Sequence, residues 1–182
     1  MRSTRARLHI VYGLAGFSLI ELLISISVMA ILMATATISF NSWQTKNKME
    51  AQTREIFADL EEARIKAFTQ KKVHGVVYQP NSYVMKSYSS EAEYSPIANA
   101  QTKGTIIATK NFKFGLTLGD LTTDITNATV LFDTTGFTNL ATGFKVIVNP
   151  VDASPSVNCV VISAARVNMG KWNVSTSKCD FK

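Results

Sequence analysis

The chain has 182 residues, of which 18% are charged, with a net charge of +6, two cysteines and two histidines. That length accommodates one domain plus an appendage, and the charge deficit against the roughly 25% of an average soluble domain is local, since no charged side chain lies between Glu21 and Lys46. Without residues 1–16, which hold Arg2, Arg5 and Arg7, 16 basic residues face 13 acidic ones, a weak basis for nucleic-acid binding. His9 and His74 form no cluster with Cys159 and Cys179 of the kind that holds a metal, and the cysteines lack redox-motif spacing. No constellation supports an enzyme, and none calls for a cofactor.

The N-terminus reads in three parts. Met1 to His9 is basic, Leu14-Ala15-Gly16 leads into Phe17-Ser18-Leu19-Ile20-Glu21, and an apolar run continues to Phe40. As a helix, Phe17 to Phe40 spans about 36 Å, enough to cross a hydrocarbon core of about 30 Å with some tilt. The arginines precede the run, which predicts a cytoplasmic N-terminus and a head on the far side of the membrane. Glu21 is anomalous there. A carboxylate in such a run costs about 2.5–3.5 kcal/mol and requires a partner. Cleavage after Gly16 would supply one, because the new amine of Phe17 is a cation about one turn away. A plain single-pass anchor has no need of Glu21. A secretory signal cut after Ala34-Thr35-Ala36 would need an unusually long apolar region containing a glutamate.

Gly16-Phe17-Ser18-Leu19-Ile20-Glu21, with the basic leader and apolar tail, resembles the cleavage and assembly signature of type IV prepilins and type II secretion pseudopilins. The resemblance implies that a membrane prepilin peptidase cuts between Gly16 and Phe17 and N-methylates Phe17. It also implies that Glu21 aligns each subunit during assembly with other pilins. Major pilins of the family usually carry a helix-breaking proline near the position of Ile38. Its absence here favours a minor pilin or pseudopilin.

Beyond the membrane segment, Met49, Ile56, Leu60, Ala63 and Ala67 form a helical stripe. Glu50–Arg54 and Glu62–Lys66 are i,i+4 pairs on its polar side. The helix is predicted to end near Lys72, giving a spine of about 84 Å from Phe17, with His74 at its end as a surface or cap residue. Strands follow at Val73–Tyr78 and Ser82–Tyr88, joined as a hairpin through Gln79-Pro80-Asn81. Ser89–Lys103 reads as a loop. Further strands are expected at Thr105–Phe114, Thr129–Asp133, Phe144–Asn149, Val157–Ser163 and Arg166–Trp172. A turn is expected at Thr134-Thr135-Gly136 and a loop at Val151–Ser156. The segment from Asp59 to Ala67, Val130–Asp133 with Gly136, and Val160–Ser163 with Arg166-Val167 resemble the GspH/FimT group of minor pilins. Ala165 stands where that group often has glycine before the arginine.

The predicted fold is α+β: a long N-terminal helix, transmembrane in its first half, packed on a small antiparallel β-sheet head. The boundaries are a cleaved leader at 1–16, a transmembrane and filament-core helix at 17–45, and a head at 46–182. Within the head an amphipathic helix at 46–72 precedes a β-rich part at 73–182. Cys159 and Cys179 form an even pair in an exported chain and suggest one disulfide. The expected role is structural. The chain is a minor pilin or pseudopilin in a type IV pilus or type II secretion pseudopilus, held first in the inner membrane with its head in the periplasm. The alternative is a DNA-binding minor pilin for uptake in natural transformation, using Arg166, Lys171, Lys178 and Lys182, with Trp172 among them available to stack a base. Asp120 and Asp124 lack the ligand density of a calcium loop and read as turn residues.

Overall fold

The structure is a computed structural model that describes residues 16–119, 121–140 and 143–181; the side chains of residues 35–39 fall outside that description. The leader up to Ala15, Asp120 and Lys182 therefore lie outside the described residues, as do the side chains of Thr35, Thr37 and Ser39. The chain divides into two compact units, Met1–Asn41 and Ser42–Lys182.

One helix, α1 (Leu19–Gln70), opens the described chain. Neither glycine nor proline occurs between Phe17 and His74, so no residue breaks the backbone hydrogen-bond ladder. In the first unit the large apolar residues from Leu19 to Met33, and Phe40, are all exposed. In the second unit one face is buried: Met49, Ile56, Leu60, Ala63 and Ala67 are at most 1% exposed. Both i,i+4 pairs form on the other side, Arg54 to Glu50 at 3.8 Å and Lys66 to Glu62 at 2.6 Å. The helix stops where Lys71 turns left-handed (φ 53°). Its ammonium lies 4.2 Å over the Phe68 ring and reaches the Thr134 carbonyl at 3.5 Å.

Among the described residues no helix is long and apolar enough to cross a membrane.

The head is built on two antiparallel sheets where the sequence suggested one. The first, in the order β3-β2-β1-β5, comprises β1 (Val73–Gln79), β2 (Ser82–Tyr88), β3 (Thr105–Asn111) and β5 (Thr129–Phe132). The second, in the order β4-β6-β7-β8-β9, comprises β4 (Leu116–Leu118), β6 (Phe144–Val148), β7 (Cys159–Ile162), β8 (Val167–Asn173) and β9 (Lys178–Phe181). The sheets meet where Thr138 bridges Phe132 and its amide donates to Ala164 O at 2.9 Å. The α1 stripe, Val76, Tyr78 and Tyr83 of the first sheet, and Val146, Val160 and Ile162 of the second form one core.

Several expectations need correction. Ser89–Lys103 is not a plain loop. It contains a 3-10 turn at Glu91–Glu93 and a short helix, α2 (Ile97–Thr102). The six-residue helix is too short to leave a periodic apolar signature. Its C-terminal carbonyls are satisfied from outside: Lys86, 6% exposed, donates to the carbonyls of Gln101 (2.7 Å), Lys103 (3.0 Å) and Ala100 (3.3 Å). Burial pushes the Lys86 ammonium below the ordinary lysine range. His74 is no surface residue. It is 1% exposed on the core face of β1, with Nδ1 2.9 Å from Lys72 O. Strand alternation assigns it that face, because Val76 and Tyr78 lie in the core. Strands β4 and β9 were not foreseen. β4 has three residues, and β9 alternates too weakly to show apolar periodicity.

Candidate functional site

The first unit presents the feature the sequence singled out. Gly16 and Phe17 precede the helix, which is entered by a hydrogen bond from Leu22 N to Ser18 O at 3.1 Å. Among the described residues other than its chain neighbours, no atom lies within 4 Å of the position a Gly16 Cβ would take, and Phe17 is 83% exposed. Glu21 stands exposed in the first turn, where the positive end of the helix dipole favours a carboxylate. Its backbone carbonyl accepts a hydrogen bond from Ser25 Oγ at 2.8 Å, and Ser27 Oγ donates in the same way to Leu23 O. These hydroxyls are satisfied within the helix and remove a polar penalty from an apolar surface.

Every large apolar side chain from Leu19 to Met33 is between 51% and 81% exposed. Burying each fully is worth about 1.5–3 kcal/mol. A helix apolar on all sides demands lipid or packed neighbours rather than water. One acidic group at the start of such a helix is a single polar address on an otherwise non-directional surface.

The second set of predicted residues is not brought together. Arg166 is exposed in the β7–β8 hairpin, where its carbonyl accepts from both Ser163 N and Ser163 Oγ at 2.9 Å. Lys171 lies directly opposite Asp180, and its ammonium bonds Ser154 Oγ at 3.1 Å. Lys178 pairs with Asn173 at the far end of β8, six residues and about 20 Å along the strand from Val167. Lys182 lies outside the described residues. Trp172 is 3% exposed and packs on Ile147, Cys159 and Cys179, with the Lys145 ammonium 5.8 Å from its ring. The expectation that this indole stacks a base is therefore wrong; its ring is spent on the small core beside the disulfide. Cys159 and Cys179 are bonded, with Cα atoms 6.2 Å apart.

Asp124 and Asp133 fold their own turns. Asp124 accepts from Thr126 N and Oγ1, and Asp133 Oδ1 accepts from Thr135 N, Thr135 Oγ1 and Phe137 N. Burial works to raise the Asp133 carboxyl, but hydrogen bonds from Thr135, Phe137 and Gly136 outweigh it and hold the group below the usual carboxylate range. Among the described residues no three His, Cys, Asp or Glu side chains are placed to hold a metal ion.

Two comparisons bear on these features. Residues 15–37 match the family described as the Prokaryotic N-terminal methylation motif. The fold is similar to the crystal structure of the type IV minor pilin FimU of Pseudomonas aeruginosa (strain PAO1), with a TM-score of 0.51 over 76% of this chain and 96% of that one, at 12% sequence identity. The chain carries a prepilin-type N-terminal motif and a fold similar to that of a minor pilin. No curated protein matches it. The matched motif covers Gly16, Phe17 and Glu21 and ends before the head, so the head's likeness is one of α+β architecture alone.

Proposed function

We propose that the chain is a minor pilin or pseudopilin, a structural subunit that enters a type IV pilus or a type II secretion pseudopilus through its N-terminal helix. The observation that carries this reading is Glu21 in the first turn of a helix that is otherwise uncharged as far as Thr45 and whose large apolar side chains from Leu19 to Met33 are all exposed. In this reading the prepilin peptidase cuts after Gly16 and methylates the Phe17 amine. The helix from residue 17 to 45 crosses the inner membrane, and the head stands in the periplasm until assembly. The amine of Phe17 on one subunit meets the carboxylate of Glu21 on the next. A charge pair screened from water is worth far more than the same pair in solution, so it fixes axial register where apolar packing cannot.

The disulfide is consistent with a head outside the cytoplasm. Contact with DNA during uptake gains little from the geometry, because Asp180 faces Lys171 and Trp172 is buried.

The test is Glu21→Ala in cells. Processing at Gly16 should continue while recovery of the subunit in sheared filaments falls by about tenfold or more, as expected for a lost buried pair of about 1.4 kcal/mol or greater. Undiminished recovery would remove Glu21 from assembly.

A further inference from the structure

On the head, a cleft of about 350 Å³ lies between the 89–97 excursion and the end of β5. Val73, Leu131, Ile97 and Tyr94 give it an apolar floor, and Glu91 and Asp133 stand at its rim. The floor is firm. Leu131 is 7% exposed, and the Tyr94 ring packs edge-on against Tyr88 at 6.0 Å. Ile97, also in the lining, remains 43% exposed.

The two carboxylates are poised differently. Asp133 is held by three hydrogen bonds to Oδ1 and remains exposed as a residue. Glu91 is exposed and makes no ion pair or side-chain hydrogen bond among the described residues. The nearby lysines form no direct ion pair with them among the described residues. Lys71 is drawn onto the Phe68 ring and Thr134 O, and Lys72 borders an adjoining cleft of about 150 Å³ without pairing with either carboxylate.

Two carboxylates above an apolar floor are too few for a bare divalent cation, which wants six or more oxygens. They repel an anion. They suit a charged head on an aliphatic stem, which lays its methylenes on apolar surface and sends its charge to the rim. We propose that this cleft receives an arginine or lysine side chain of a neighbouring subunit in the filament. The inference rests on the filament reading above. A filament requires an interface between two different surfaces of successive subunits, an open heterologous contact, and an acidic socket filled by a neighbour's cation is one half of such a contact. Charge there would set which subunit docks beside this one more than how tightly it docks.

The experiment uses the full chain in its own cells, with a photo-crosslinking phenylalanine analogue in place of Asn139, which also lines the cleft. The expected product joins this chain to a pilin-class subunit through a peptide containing lysine or arginine. Glu91→Lys should lower its yield about tenfold by setting like charges together, while Asp152→Lys, an exposed acid away from the cleft, leaves it unchanged. If Phe17 is methylated and the chain is recovered in filaments, but Asn139 crosslinks to nothing, to lipid or to a non-pilin, the socket assignment is overturned and the filament reading survives. An unchanged yield in Glu91→Lys also overturns it. An unprocessed chain absent from filaments overturns the filament reading, and the socket falls with it.

Discussion

The hydroxyl of Tyr83 on β2 donates a hydrogen bond to the carboxylate Oδ2 of Asp59 on α1. Tyr83 is 1% exposed and Asp59 9%, so the bond ties helix to sheet inside the head. Lys110 on β3 extends the arrangement, with its ammonium 2.8 Å from Glu55 Oε1 and 3.8 Å from Asp59 Oδ2. Burial and the Asp59 carboxylate together push the Tyr83 phenol well above its ordinary range, so it remains a donor throughout the physiological range.

Tyr83→Phe should therefore destabilise the head (residues 42–182) by about 1.5–3 kcal/mol, the range for a hydrogen bond to a charged group whose partner is left buried. Urea unfolding checks this. A loss under about 0.5 kcal/mol would mean that water replaces the phenol at Asp59.

The C-terminal strand depends on a close approach. A Cβ on Gly170 would lie 2.3 Å from Asp180 O and 3.0 Å from Cys179 Sγ, so β9 fits beside β8 only because residue 170 lacks a side chain. Gly170→Ala should cost about 1–3 kcal/mol by overpacking and raise amide exchange in β9, read residue by residue.

Reduction of the disulfide acts on the same corner through the unfolded chain. Closing a loop with a sequence separation of 20 is worth about 3 kcal/mol. Replacing both cysteines by serine should lower the urea midpoint accordingly. Trp172, packed on the bridge, should report the change in its fluorescence.

Acid should loosen the β5 turn. The Asp133 carboxyl is depressed in the folded head, despite burial, by hydrogen bonds from its own turn. It therefore contributes stability that is full above the unfolded carboxyl value of about 3.9 and is lost as pH falls through the lower folded value. Asp133→Asn should destabilise the head at pH 7 and make little difference at pH 2. An equal difference at both pH values would contradict the assignment.

The sequence made the helix legible because its signals are long. A stripe from Met49 to Ala67 and an unbroken apolar run from Phe17 to Phe40 each carry many residues of agreement. The strands with runs of valine, isoleucine and tyrosine were legible for the same reason. Short elements were not. α2 depends on the carbonyl cap from Lys86, fourteen residues or more away in sequence, and β9 depends on the bare backbone of Gly170; neither leaves a local pattern. His74 was misjudged because its burial is decided by strand alternation, not by the lone histidine itself. Gly16, Phe17 and Glu21 lie within six residues of one another, so the motif that residues 15–37 match was readable in the sequence. The Glu91–Asp133 cleft joins two distant loops, and no spacing announces it.

The measurement that bears most directly on the whole account is mass spectrometry of the intact mature chain from its own cells. The account predicts a first residue Phe17 carrying one N-methyl group, with residues 1–16 absent. A chain that begins at Met1, or at Thr37 after cleavage behind Ala36, would contradict it.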